Sequence, residues 1–269
     1  MKKIITAVAI GVLTTSASIA ELIVYDPFND VEISTVAASN TIPTGWASDG
    51  TSFHGVVVSE SLSYPGLAPS QANSFRLGDR TDDYFMNFAS PNLAVGDTVY
   101  FSFLFRINSA TRSKMTDGAI RLFDSADQYG SGIVVGLGVT NLGGNLSFSL
   151  NNRNLTWANP LNRTKTPADY TATGATYLIV GSYTRGSTAT DGLTQLWINP
   201  DSASFGTATP PVATLATNSF ASDANWNRLQ IISSGSTSWP AKWQIDEVRI
   251  GTDWASVVPC IPASALKKQ

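Results

Sequence analysis

Hydrophobic and polar positions alternate with a period of two through most of this chain. In "DTVYFSFLFRI" Val99, Phe101, Phe103, Phe105 and Ile107 fall on one face, and Tyr100, Ser102, Leu104 and Arg106 on the other. "TYLIVGSYTR" repeats the scheme, with Tyr177, Ile179, Gly181 and Tyr183 set against Leu178, Val180 and Ser182. Successive side chains of a strand point to opposite faces, so this pattern predicts half-buried β-strands. Further strands are predicted over 22–28, 54–60, 84–89, 119–124, 133–140, 146–151, 193–199, 226–233 and 243–250. Gly, Asn, Asp and Pro punctuate the gaps between them. No amphipathic helix longer than two turns stands out. About eleven strands without helical crossovers imply antiparallel sheets packed as a β-sandwich of the jelly-roll kind. The strand at 22–28 is expected beside the strand at 243–250. The stretch 207–218, with Pro210 and Pro211, reads as a loop. Residues 21–258 read as one domain, and 259–269 as a disordered tail.

The last strand raises a question of chemistry. In "WQIDEVRIG" regular alternation puts Asp246, Val248 and Ile250 on one face, and Ile245, Glu247 and Arg249 on the other. Asp246 and Glu247 then cannot flank one glycosidic bond, which needs both carboxyl groups on the same side of the substrate. Asp246 is expected to accept backbone N–H bonds from a neighbouring turn, since buried polar groups need partners. Glu247 and Arg249 are expected to form an outward ion pair.

The N-terminus narrows the compartment. Lys2 and Lys3, the apolar run 4–13 and the small residues of Ser18-Ile19-Ala20 make residues 1–20 a signal peptide. Thr14, Thr15 and Ser16 end the apolar run well short of the roughly 20 residues that a membrane span needs. The mature chain is therefore expected outside a bacterial cell or on its surface, with no membrane span. Its cleavage would take 17 basic residues to 15 against 20 acidic ones, moving the formal charge from −3 to −5. That balance speaks against nucleic acid as a partner. The lone Cys260 excludes an internal disulfide, so the core must supply stability.

Several segments resemble a known class. "IDEVRIGTDW" is similar to the last strand of laminin-G-like, concanavalin A-like sandwich domains, and "TYLIVGSYTRGSTATDGLTQLWINPD" (176–201) to their middle hairpin. "YDPF" at Tyr25–Phe28, "GW" at Gly45-Trp46 and "SLSYPGL" at Ser61–Leu67 resemble the layout of exported proteins of that class from environmental bacteria. The ending "VVPCIPASALKKQ" resembles a C-terminal sorting signal of the V-P-E-P type, degenerate or truncated, with Cys260 where Glu would stand and no apolar span. The resemblance implies a concanavalin A-like fold and does not choose an activity.

Composition bounds the chemistry. The E-x-D-x-E strand motif of laminarinase-type glucanases is absent. Beyond residue 20 there are four glutamates, and Glu60 is the one expected to face a groove if the protein is an enzyme. His54 is the single histidine, with no G-x-S-x-G elbow to serve and too few N/S ligands for zinc. Two loops carry oxygen ligands suited to calcium: Asp124 with Asp127, and Asp79 with Asp82. Of the seven tryptophans, Trp197 and Trp243 belong to strands, whereas Trp157 and Trp239 stand in polar loops. An aromatic face ringed by amides and guanidinium, as Trp157 has in Asn154 and Arg153, is suited to a sugar ring. The function read from these features is a secreted, non-catalytic carbohydrate-binding or matrix protein whose partner is a polysaccharide or surface glycan. A polysaccharide hydrolase or lyase, and a structural adhesion module, stand as alternatives.

Overall fold

The computed structural model describes residues 21–29, 42–48, 55–70, 73–77, 82–110, 118–125, 132–139, 145–151, 164–165, 170–171, 174–188, 191–219, 226–233 and 241–261. Two antiparallel sheets account for nearly all of the regular structure. The first is built from β1 (Leu22–Asp26), β3 (Val56–Val58), β4 (Ser74–Leu77), β6 (Thr98–Ala110), β12 (Thr176–Thr184), β13 (Gly192–Ile198), β14 (Leu215–Ser219) and β16 (Ala241–Gly251). Its order is β14-β13-β12-β6-β16-β4-β3, with β1 also paired to β16. The second takes β2 (Trp46–Ser48), β5 (Asp82–Asn87), β7 (Gly118–Phe123), β8 (Gly132–Val139), β9 (Asn145–Asn151), β10 (Thr164–Lys165), β11 (Tyr170–Thr171) and β15 (Arg228–Ser233). Its order is β10-β9-β8-β7-β15-β5-β2, with β11 also paired to β9. The architecture is a β-sandwich, as the alternation requires. The first strand lies antiparallel to the last, Leu22 opposite Gly251.

Both inner faces are aromatic. Val99, Phe101, Phe103, Phe105 and Ile107 of β6 are buried against the second sheet. Ring pairs bridge the layers: Phe105 meets Phe148 edge-on at 6.4 Å, and Phe75 meets Tyr84 at 4.9 Å. Burying each such ring contributes about 1.5–3 kcal/mol. Glycines make space for the rings, as at Gly55 beside Phe75 and at Gly181. Gly181 pairs with Phe101, and a Cβ there would stand 2.4 Å from that ring.

β16 departs from regular alternation. Its register shifts between Asp246 and Arg249, and Glu247 takes φ +55°. The bulge falls where β16 exchanges partners along one edge, from β4 at Trp243–Ile245 to β1 at Val248–Gly251. Trp243 and Ile245 point into the core before it, Val248 and Ile250 after it. The expected faces are thus corrected: Ile245 and Val248 share the inner side, because the extra residue resets the alternation. The Glu247–Arg249 ion pair forms, but it is buried rather than outward. The Tyr25 hydroxyl donates to both Glu247 oxygens at 3.2 Å, and its ring lies 4.5 Å below the Arg249 guanidinium. The left-handed backbone at Glu247 costs about 1–2 kcal/mol, which these contacts offset. Burial pushes the Tyr25 hydroxyl up to about 12. Asp246 accepts the Leu62 N–H at 2.8 Å and the Glu247 N–H at 2.7 Å, as expected of a carboxyl group held by a neighbouring turn.

The outer face of the first sheet is sealed by a second apolar cluster. Leu62 and Leu67 from one loop, Phe205 from another, and Trp254, Val257 and Val258 cover Leu104, Leu178, Val180 and Trp197. Trp197 therefore belongs to this outer cluster, whereas Trp243 lies between the sheets. The short helix α1 (Trp254–Val257) starts where the Asp253 side chain accepts the Ser256 N–H. Beyond it the chain stays docked: Cys260 bridges to Leu67, and the Ile261 N–H reaches the Gly66 carbonyl. The tail expected to be disordered from 259 is thus in contact as far as Ile261. The loop expected at 207–218 is corrected in part: Leu215–Ser219 forms the edge strand β14 on β13. The prolines and small polar residues around it hid the strand.

Two outcomes follow from β16. Val248→Asp places a charge in the core and is expected to leave no folded soluble protein. A soluble variant with the wild-type Tm would refute this placement. Burial, opposed by the two backbone N–H bonds, raises the Asp246 carboxyl to about 8. An unfolded chain releases that proton near its ordinary value of about 4. The contribution of the protonated group is therefore complete below about pH 4 and lost as pH rises to about 8, by up to ~1.4 kcal/mol per pH unit. Urea melts of wild type and Asp246→Asn across that window check it, and the variant should lose the slope.

Candidate functional site

The outer face of the second sheet differs from that of the first. On β7, β15 and β5 the inward positions are Ile120, Leu122, Leu229, Ile231, Tyr84 and Met86. The alternate positions face outward and fall into three rows set by register. Phe123, Arg228 and Asn87 make the first, Arg121, Gln230 and Phe85 the second, Ala119, Ile232 and Asp83 the third. Towards β8 and β9 the first row runs into Gly132, the second into Val134 and Asn151, and the third into Gly136 and Ser149.

This face joins cations to aromatic rings. The Arg121 guanidinium lies 3.5 Å from the Phe123 ring centre. That of Arg228 lies 4.2 Å from Phe85 and 5.8 Å from Phe123. Stacking of this kind contributes about 0.5–2 kcal/mol and fixes the guanidinium plane. The Arg228 Nε–H donates to Asn87 Oδ1 at 2.8 Å, which sets the rotation within that plane. Between the two arginines stands Gln230, 5% exposed, whose Oε1 has no hydrogen-bond partner. An unpaired buried amide oxygen costs about 1–3 kcal/mol. Phe123 and Ala119 are fully buried, and Arg121, Gln230 and Ile232 nearly so, so the centre of this face is covered. Its rim, with half-buried Arg228 and Phe85 and exposed Asn87, is the part suited to hydroxyl- and anion-bearing ligands.

Few of the residues singled out in the sequence fall among the described ones. Glu60 lies on the other sheet's side, where its carboxylate meets Arg106 Nη2 at 2.5 Å with a side chain 58% exposed. That hydrogen bond holds its carboxyl below the ordinary carboxylate range. Gln244 joins the same group, receiving Arg106 and donating to Ser74 Oγ at 2.9 Å. Asp246 and Glu247 also belong to the first sheet. Arg153, Asn154, Trp157, Trp239, Asp79, Asp127 and His54 lie outside the described residues, as does the side chain of Asp82. Asp124 directly follows β7 at the Phe123 end, while Asp82 opens β5 at the opposite end, opposite Ser233. Among the described residues no cluster of three or more His, Cys, Asp or Glu is arranged to hold a metal ion.

Arg121, Arg228 and Gln230 were not singled out from sequence. The signal was present in "AIRLF" and "RLQII", where Arg and Gln occupy outward positions shared with Ala119 and Ile232. Polar groups among apolar neighbours on both faces mark a strand whose outer side is itself covered or used.

No protein-family model matches the chain, and no curated protein matches it significantly. Solved structures do. The endo-1,3-β-glucanase of Streptomyces sioyaensis aligns over 91% of this chain and 99% of its own, with 10% identity and a TM-score of 0.51. A structure from work on endo-acting O-glycanases of human gut microbiota, which initiate mucin breakdown, aligns over 86% and 99%, with 10% identity and a TM-score of 0.51. The likeness is one of fold.

Gln230→Leu removes the unpaired amide while keeping its bulk. Such a replacement should leave stability unchanged or raise it by about 1 kcal/mol. Calorimetry checks this, and a clear fall in Tm would show that the amide is structurally engaged.

Proposed function

We propose that this is an exported glycan-binding protein that holds a polysaccharide on the outer face of its second sheet. The observation that carries the reading is the half-buried Arg228 guanidinium at the rim of that face, stacked on the Phe85 ring and fixed in rotation by Asn87. The fold supports the reading, because a β-1,3-glucanase and an O-glycanase structure share it. Trp157 and Trp239 would add aromatic contacts to the polymer. Calcium would serve the loops of Asp124 and Asp127 or of Asp79 and Asp82. Among the described residues no helix is long and apolar enough to cross a membrane.

A binding role is favoured over catalysis by the state of Glu60. A general acid needs a raised pKa, and Arg106 holds Glu60 in the opposite direction. Its pairing partner also occupies the carboxylate that a nucleophile would present.

The test is retention on a panel of soluble and insoluble polysaccharides, with calcium and with chelator, scored for bound protein and released sugar. Retention without sugar release is expected, and Trp239→Ala should weaken it at unchanged Tm. Sugar release would overturn the non-catalytic reading. No retention on any polymer would transfer the weight to a protein partner.

A further inference from the structure

We propose that the ligand of the second-sheet face is an acidic polysaccharide, and that Arg228 grips the carboxylate of a uronate residue. This rests on the glycan-binding reading. Three arginines of the chain show why. Arg106 and Arg249 each meet a carboxylate of their own chain, Glu60 and Glu247. Among the described residues none lies against Arg228. Its Nε–H is taken by Asn87, and its plane is set by the Phe85 ring. Among the described residues Nη1 and Nη2 meet no partner, and they lie side by side in one plane. That is the fork which accepts the two oxygens of a carboxylate in parallel, and it is already oriented.

The surroundings suit a sugar acid rather than a bare anion. The exposed Asn87 amide, which already holds the Arg228 Nε–H on its oxygen, stands beside the fork and is placed to meet a sugar hydroxyl. Arg121, in register with Gln230, adds a second cation. The one described carboxylate on the nine-residue grid, Asp83, stands in the third row, two rows from Arg228. The chain as a whole carries −3, so this attraction is local to the face and not a property of the net charge.

The experiment uses the whole protein and three polymers: polygalacturonate, the same polymer with its carboxyl groups reduced to alcohols, and dextran sulfate. Affinity is read by calorimetry or retention at low and high salt. Polygalacturonate is expected to bind, with the reduced polymer at least about tenfold weaker. Arg228→Gln should lose about 10- to 100-fold on polygalacturonate with an unchanged Tm. Arg228→Lys, which keeps the charge and loses the fork, should recover only part. Equal binding of the reduced polymer, or an unaffected Arg228→Gln, would overturn the acidic ligand while leaving glycan binding intact. Equal, Arg228-dependent binding of dextran sulfate would overturn carboxylate selectivity. Retention of neutral polymers alone would do the same, and no retention of any polysaccharide would overturn both readings.

Discussion

The carboxyl group of Asp246 is the point on which the first sheet turns. At that residue β16 leaves one neighbour for another, and a strand cannot do so without breaking register. The bulge supplies the break, and the two N–H groups that Asp246 receives tie it down. One comes from the bulge itself and the other from Leu62, the first residue of the outer apolar cluster. The hydrogen bond thus couples the inner core, through β16, to the covering layer. Ile245 and Val248 can both face inward only because of it. Removing the carboxyl group would leave the Leu62 and Glu247 donors buried without an acceptor, a larger loss than the bonds contribute when made.

This coupling gives the sandwich two unlike outer surfaces. On the first sheet the strand exteriors are apolar, and loops and the C-terminal segment pack onto them. On the second the exteriors carry arginine, glutamine and phenylalanine, buried at the centre and open only at the Arg228–Asn87 rim.

The period-two pattern carried most of the architecture: the long alternating runs at 99–107 and 177–183 became the central strands β6 and β12. Pairing of the first strand with the last was also legible, as was the backbone-bound role of Asp246. The bulge was not. A one-residue insertion leaves no mark on composition, and Glu at a left-handed position disguises a site where Gly would have announced it. The short strands β2, β4 and β14 fell below the length at which alternation can be seen. The candidate face was harder still. Arg121, Gln230, Arg228, Phe85 and Asn87 come from three strands spread over some 145 positions of sequence, and only register brings them together. Loop tryptophans attract the eye because they are rare and large. A site assembled across strands has no local signature.

The adjacency of β1 and β16 has a mechanical meaning. Glu21 and Thr252 touch, so both ends of the domain leave from one edge. A chain joined at those ends would carry the sandwich as a pendant, with the second-sheet face free to meet a polymer. Tension along such a chain would first peel the C-terminal segment from Leu67 and Gly66. It would then open the Leu22–Gly251 end of the β1–β16 ladder one bond at a time, as a zipper opens.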